Sequence, residues 1–473
     1  MTARNRPREG RPRRCFHQLL LCGIASALPL GACNSESSAE TPNSASYTIR
    51  PLSGPFAFPG AVGFGAQSRG GRGGKIIEVT TLADAGEGSL RTCLEHKMPR
   101  VCVFRVAGVI RFAGRPPTIR SPYLTVAGQT APAPGITLAH SGGPDARTPL
   151  LIKNTHDVII RHIRVRNDRL GESRGSEDSF TIETSDNVIL DHVSGSWARD
   201  EIVNGYGDND RITISNSLFA QGIPRHDKCA LLASDPKTAQ RLSFIGNLCA
   251  HNGDRNPDIN FPPGSCVEVF NNVLYNAQSE FAEVWQSFGG SPVAIIGNSF
   301  IGGPDTSKKA VGIALNTTGS TGKAAVYQTR NSFEGNFTPV GAEIASVAVS
   351  SPPCPLSFEP LPTAVARTRV LAEAGAWPRD SFDREMVETV RNRAGRIVTK
   401  PGIIPADAQA SAMTAPPYPD IDRDGMDDRW EAKNGSNPFY PDAWADPDGD
   451  GFAHLDRFLD YLHQRVMTGG EAT

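Results

Sequence analysis

Near the C-terminus, six residues have the types and spacing needed to hold a metal ion. Asp420, Asp422, Asp424, Gly425, Asp428 and Glu431 fall at positions 1, 3, 5, 6, 9 and 12 of a twelve-residue loop. Carboxylates at that spacing reach one calcium ion, the glycine permits the sharp turn, and the final Glu can bind with two oxygens. Asp446, Asp448, Asp450 and Gly451 repeat the start of the pattern. Its twelfth position is Arg457, which leaves Asp456 as a substitute and predicts a weaker or irregular second loop. Leu455–Leu462 reads as a helix that packs once metal is bound. The bland alternative is a solvated acidic tail. Asp191-His192 invites an acid–base reading, but its place at the end of a strand-like run favours a structural one.

The elements that must position such residues are short and repetitive. Val158–Arg161, Val188–Asp191, Ile212–Ser215, Leu242–Ile245, Val267–Phe270 and Val293–Ile296 are apolar runs, mostly rich in β-branched residues. Polar residues close or follow them, at His162, His192, Asn216, Asn247, Asn272, Asn298 and, more weakly, Asn331. Steps of 24 to 33 residues separate these positions, with Gly- and Asn-rich turns and no amphipathic helix between. Strands recurring in this way predict a right-handed parallel β-helix, an all-β solenoid, with Asn amides bonding from coil to coil. A β-sandwich would space its strands every 8–12 residues and carry more hairpin signals.

Composition narrows the functional classes. The chain has 473 residues and 48 basic against 50 acidic side chains. That balance gives no support for a nucleic-acid partner. The charge is uneven along the chain: residues 418–473 carry 13 acids and 5 bases, so the acidity is concentrated in the tail. Six arginines within residues 4–14, an apolar stretch, and Leu30-Gly31-Ala32-Cys33 have the layout of a signal peptide. The last four residues resemble a bacterial lipobox, which implies lipidation at Cys33 and an outer-membrane or secreted location in a Gram-negative cell. Of nine cysteines, two lie in the leader and Cys33 is the lipid site, leaving six. An even count in an oxidising compartment permits disulfides, and the short loop makes Cys93–Cys102 the favoured pair. Cys229, Cys249, Cys266 and Cys354 cannot be paired from sequence.

Several motifs carry a family resemblance. Ala57–Gly65, Gly70–Lys75, Gly88–Arg91, Val126–Pro132, Asn187–His192, Ser196-Trp197 with Asp200-Glu201, and His251–Pro257 occur in an order that resembles secreted bacterial pectate lyases, polysaccharide lyase family 1. The match covers about residues 55–305, and more loosely Arg379–Gly395. The resemblance implies calcium-assisted β-elimination on polygalacturonate or pectin by a monomeric enzyme. Such chemistry needs a base for the C5 proton and cations against the adjoining carboxylate. By resemblance, Arg255 is the base and Lys228 neutralises the carboxylate, while Asp178, Asp200 and Asn204 hold calcium, with Glu177 and Glu201 flanking. The chain departs from the family in two places: Asn204 stands where aspartate is common, and Asn260 where a second arginine often lies. His226 reads as a neighbour or sugar contact, and Trp285 and Phe288 as groove or core aromatics. The tail resembles dockerin or thrombospondin type 3 calcium repeats.

The expected layout is leader 1–32, tether 33–54, β-helix 55–345, C-terminal wrap 346–417 and calcium module 418–465. A polygalacturonase-type hydrolase would need two opposed carboxylic acids, and no such paired-Asp motif is present. A surface adhesin built on the same solenoid would not require Lys228 or Arg255.

Overall fold

The computed structural model describes residues 56–143, 147–171, 176–224, 226–409 and 417–469. The leader, the tether and Cys33 lie outside the described residues. Three parallel sheets of ten, nine and nine strands stack along one axis, each coil contributing a strand to each sheet. The first sheet runs from Lys75–Val79 to Ala325–Thr329, the second from Gly108–Phe112 to Ser332–Glu334, the third from Thr118–Ile119 to Thr338–Val340. This is the β-helix expected from the coil repeats.

The inward residues explain the stacking. Val158, Val188, Ile212, Leu242, Val267 and Val293 are in register along the first sheet and all buried. Burying each such side chain contributes roughly 1.5–3 kcal/mol. The bends after these six strands and after Ala325–Thr329 are left-handed: His162, His192, Asn216, Gly246, Asn271, Gly297 and Arg330 all have φ between 49° and 68°. Asn and Gly suit that conformation best. The next residue forms the ladder. Val193 N–H donates to Ser217 Oγ, and the N–H groups of Ser217, Asn247, Asn272 and Asn298 donate to the side-chain oxygens of Asn247, Asn272, Asn298 and Asn331, at 2.8–3.1 Å. The ladder therefore starts one residue after His192 and Asn216, a frame that residue type alone does not show.

Two of the outer faces are covered. Glycine-rich residues 56–74 cross the first sheet so closely that a Cβ on Gly65 would lie 2.4 Å from Val188 O, and one on Gly71 1.9 Å from Arg100 O. Helices Thr363–Glu373 and Ser381–Asn392 pack on the second sheet, where Val370, Met386 and Val390 meet Leu218, Leu248 and Val273. Beneath the latter helix, Arg166 donates to Asp380 and Asp383, all three side chains fully buried. The third sheet keeps Leu151, Asn204 and Leu231 half-exposed in its outward row.

Three disulfides close the cysteine account: Cys93–Cys102, as expected, then Cys229–Cys249 and Cys266–Cys354. The acidic tail folds back on the first coils, where Met426, Trp430, Leu455, Phe458 and Leu462 pack with Val101, Val103 and Ala127. Its last helix, His454–Met467, is longer than the expected Leu455–Leu462 and brings His463 against His162, with His162 Nε2 and His463 Nδ1 2.9 Å apart. No helix of the described residues is long and apolar enough to cross a membrane.

Candidate active site

The expected site residues converge on the third sheet. Lys228 opens the strand Lys228–Ser234, and its neighbour in register is Glu201 on one side and Asp254 on the other. Lys228 Nζ pairs with Asp254. Arg255, left-handed at φ 51°, follows directly and donates through Nη1 to Glu201 Oε1 at 2.6 Å, with Nε 3.5 Å from Asp258 Oδ2. Its carbonyl accepts the Ala230 N–H at 3.1 Å, which locks the two cations into adjacent coils. They lie on one flank of the solenoid.

The acids sit one and two coils back. Asn204 Nδ2 donates to Asp178 Oδ2 at 3.2 Å, and Thr181 Oγ1 donates to the same oxygen at 2.5 Å. Asp178 Oδ1 and Asn204 Oδ1 are both buried without a partner. Asp200 Oδ1 meets His226 Nδ1 at 2.7 Å, and Asp200, Glu201 and His226 can each offer one atom within 4.8 Å of the others. Glu177 is directed elsewhere and forms an ion pair with Arg199. Asn260 turns away to donate to Ser287 Oγ at 2.8 Å.

Crowded carboxyls with few cations shift one another. Burial, and then the Asp200 carboxyl, push Glu201 up to about 7 against the pull of Arg255. Burial drives Asp178 well above the carboxylate range; the Thr181 hydrogen bond opposes this, and the Glu201 and Asp200 charges add to it. For Arg255, burial acts to release the proton, but Asp258, Glu201, Asp254 and Glu283 outweigh it and raise the pKa. The acids thus bind the guanidinium proton more tightly than solvent does. Unpartnered buried oxygens beside carboxyls pushed toward neutrality are the donor chemistry of a hard divalent cation.

Asp254, Asp258 and Glu283 were not anticipated as part of this cluster. Asp254 and Asp258 flank Arg255 within four residues, a signal that spacing could have shown. Glu283 reaches the cluster only because it registers with Asp258 across coils. Asp191 has the structural place expected of it: Arg161, His192, Ser215 and Asn216 all bond to its carboxyl, at 2.8–3.0 Å.

The tail holds a second acid cluster. Asp420 accepts from Asp424 N–H and Gly425 N–H at 3.1 and 3.0 Å, and Gly425 turns with φ 91°. Asp420, Asp422 and Asp424 come within 4.8 Å of one another, as do Asp424, Glu431 and Asp442. Asp442 was not expected; Asp428, which was, accepts instead from Ile421 N–H at 2.9 Å and begins the helix Asp428–Asn434. Asp422 Oδ2, Asp424 Oδ2 and Glu431 Oε2 are buried without partners. Burial, and then their acidic neighbours, push Asp424 up to about 7 and Glu431 up to about 8. In the second loop Asp446 makes the turn, accepting from Gly449 and Gly451. Arg457, however, reaches across to Asp448 and Asp450 at 2.8 and 3.0 Å. Asp456 is no substitute ligand: it binds Arg72 at 2.8 Å and accepts from Ala453 N–H.

No family model matches the chain. Among curated proteins, it is 34% identical over 415 residues to the probable pectate lyase C of Aspergillus flavus, covering 86% of this chain and 94% of that one. It is 40% identical over 260 residues to the probable pectate lyase C of Emericella nidulans, covering 54% of this chain and 55% of that one. It is 28% identical over 282 residues to pectate lyase 1 of Cryptomeria japonica, covering 54% of this chain and 69% of that one. The crystal structure of the major allergen from cedar pollen shares the fold, with a TM-score of 0.52 and 20% identity over 67% of this chain and 92% of that one. These relatives are fungal and plant proteins, so they give no support to the bacterial subgroup suggested by the opening motifs. At a third identity across nearly the whole of the Aspergillus flavus relative, the chain belongs to the pectate lyase family.

Proposed function

We propose that this chain is a polysaccharide lyase that cleaves pectate by β-elimination on the outward face of its third sheet. The observation that carries the reading is the convergence of Arg255, Lys228 and a partly unpartnered acid cluster on adjacent coils. Arg255 removes the C5 proton while Lys228 holds the adjoining carboxylate as negative charge develops there; the C4–O bond then breaks as the C4–C5 double bond forms, and the departing sugar oxygen takes a proton from solvent water. Asp178, Asp200 and Asn204, with Glu201 beside them, would hold calcium through oxygens matched to a hard cation. A bound calcium ion supplies charge withdrawal from the substrate carboxylate without donating a proton. Glu201 would matter twice: it accepts from Arg255 at 2.6 Å, and if it also helped to hold the cation, its grip on the Arg255 proton would loosen.

The finer readings follow the same logic. Asp420, Asp422, Asp424 and Glu431, joined by Asp442, form a calcium loop of the dockerin or thrombospondin type 3 kind, and Arg457 takes a cation's place among Asp446, Asp448 and Asp450. This module spans 418–465, after a solenoid of 55–345 and a wrap of 346–417. Residues 1–32 direct export, which suits three disulfides. Cys33 anchors the 33–54 tether to an outer membrane, and loss of palmitate labelling in Cys33→Ala would test this.

The decisive assay incubates the purified protein with polygalacturonate, with and without a calcium chelator, and follows ultraviolet absorbance from unsaturated ends. Calcium-dependent absorbance is expected. New reducing ends without absorbance would replace the lyase with a hydrolase, and no product at all would leave a non-catalytic glycan-binding solenoid.

A further inference from the structure

The outward row of the third sheet changes charge on either side of Lys228 and Arg255. In register it runs Asn204, Thr181, Leu151, Thr118 toward the first coils and Leu231, Asp258, Glu283 toward the last. Each step is about 4.8 Å, so both arms extend well past the two cations.

Toward the first coils, a cavity of about 510 Å³ opens at Asp178 and Thr181 and is walled by Arg115 and Arg147. A second, of about 420 Å³, shares Arg115 and continues to Arg120 and Lys97. Arg115, Arg120 and Lys97 are exposed, and no ion pair is seen for them among the described residues. Two acids along this arm have cationic partners, Glu183 with Lys153 and Glu95 with Arg91, and Asp178 belongs to the acid cluster beside Asn204. Toward the last coils the row is acidic. Asp258 and Glu283 are both buried, and Glu283 accepts from Asn316 Nδ2 at 3.0 Å. Trp285 Nε1 and Asn260 Oδ1, on the strands carrying these acids or beside them, are buried polar atoms without partners, suited to a neutral sugar face.

A polyuronate with one carboxylate per unit meets exposed cations on one arm; on the other it meets Asp258, already paired with Arg255, and Glu283, held by Asn316, and neither can balance a carboxylate. We infer that the groove reads esterification with opposite demands on its two sides: free carboxylates over Arg115, Arg120 and Lys97, and methyl-esterified or neutral units over Asp258 and Glu283. This deepens the pectate-cleaving reading and rests on it. The preferred substrate is a partly esterified polygalacturonate with a run of free acid on one side of the broken bond.

The test digests partly methyl-esterified oligogalacturonates and maps esters at both new ends by mass spectrometry. Esters should collect on one side of the cut. The Arg115→Gln/Arg120→Gln double variant should raise KM for free polygalacturonate about tenfold, with the loss falling on KM rather than kcat. It should also flatten the salt dependence and blur the ester asymmetry. The equally exposed pair Lys308→Gln/Lys309→Gln serves as the charge control and should do none of these. Esters spread evenly over both sides, or a wild-type KM in the double variant, would overturn the inference. Calorimetric binding of hexagalacturonate in calcium separates the two readings. A tenfold affinity loss in the double variant without unsaturated product would discard the elimination and keep the basic arm. Binding indifferent to both arginines would discard the arm.

Discussion

Two acid clusters in this molecule answer their own charge in different ways. On the third sheet, Asp254, Asp258 and Glu201 are interleaved with Lys228 and Arg255, so the charge of these three acids is largely compensated before any ligand arrives. In the tail loop, Asp422, Asp424, Glu431 and Asp442 face one another with little relief. Arg105 compensates only Asp420, at the rim toward the solenoid. In the interleaved cluster Lys228 and Arg255 are left to meet a substrate carboxylate between acids they already balance, whereas the uncompensated cluster has the donors for a cation. Removing metal should therefore stop chemistry at the first and loosen structure at the second.

The largest expected effect sharpens the chemical side of this contrast. Arg255→Ala should lower the rate of unsaturated-product formation about a thousandfold, within the range typical of a lost general base. The melting temperature reports separately on the buried Glu201 and Asp258 left unpaired. A variant that retains more than a tenth of the activity would show that the base lies elsewhere. On the structural side, Glu431→Gln or chelation should destabilise docking of the tail by about 2–3 kcal/mol, the linkage expected for a site occupied a hundredfold above its Kd. Limited proteolysis near residue 417 and a calcium-dependent melting curve read this out. Melting indifferent to calcium would remove the distinction between the clusters.

A smaller effect tests what else holds the tail. Burial, then the neighbouring rings and Arg161, keep His162 well below its usual pKa, and burial, then Arg161 and His192, push His463 down to about 2. The unfolded chain therefore binds protons that the folded chain refuses. Stability is complete above the ordinary imidazole pKa of about 6.5 and falls as pH drops below it, by up to about 1.4 kcal/mol per ring per pH unit. His463→Gln should flatten the slope of melting temperature between pH 7 and pH 5; an unchanged slope would place the sensitivity elsewhere. The smallest effect is Arg457→Glu, which supplies a twelfth-position carboxylate to the second loop. Calorimetry should then count one more calcium ion per chain than in the wild type.

Particular residues show how far the primary structure could be read. Coil runs such as Val188–Asp191 announced parallel strands because alternation and bend residues are local properties of the backbone. The Asp420–Glu431 spacing announced an acid cluster for the same reason, and the short Cys93–Cys102 loop its disulfide. The polar ladder was visible as Asn residues but misframed by one position at His192 and Asn216, because a left-handed bend and a ladder rung draw on the same residue types. Roles for Arg255, Lys228 and Asp178 came from family likeness, and their proximity could not have been derived from spacing, since loops of unequal length separate the coils.

What the chain alone determined is therefore local: strand-forming runs, turn residues, an even set of cysteines and one acid loop, each set by dihedral preference or short-range reach. Tertiary structure decided which coils lie side by side. It paired Cys229 with Cys249 and Cys266 with Cys354, set Glu283 beside Asp258, exchanged Asp442 for Asp428, and laid the tail over Val101 and Val103. Those contacts depend on register summed over irregular loops, a quantity that no window of sequence contains.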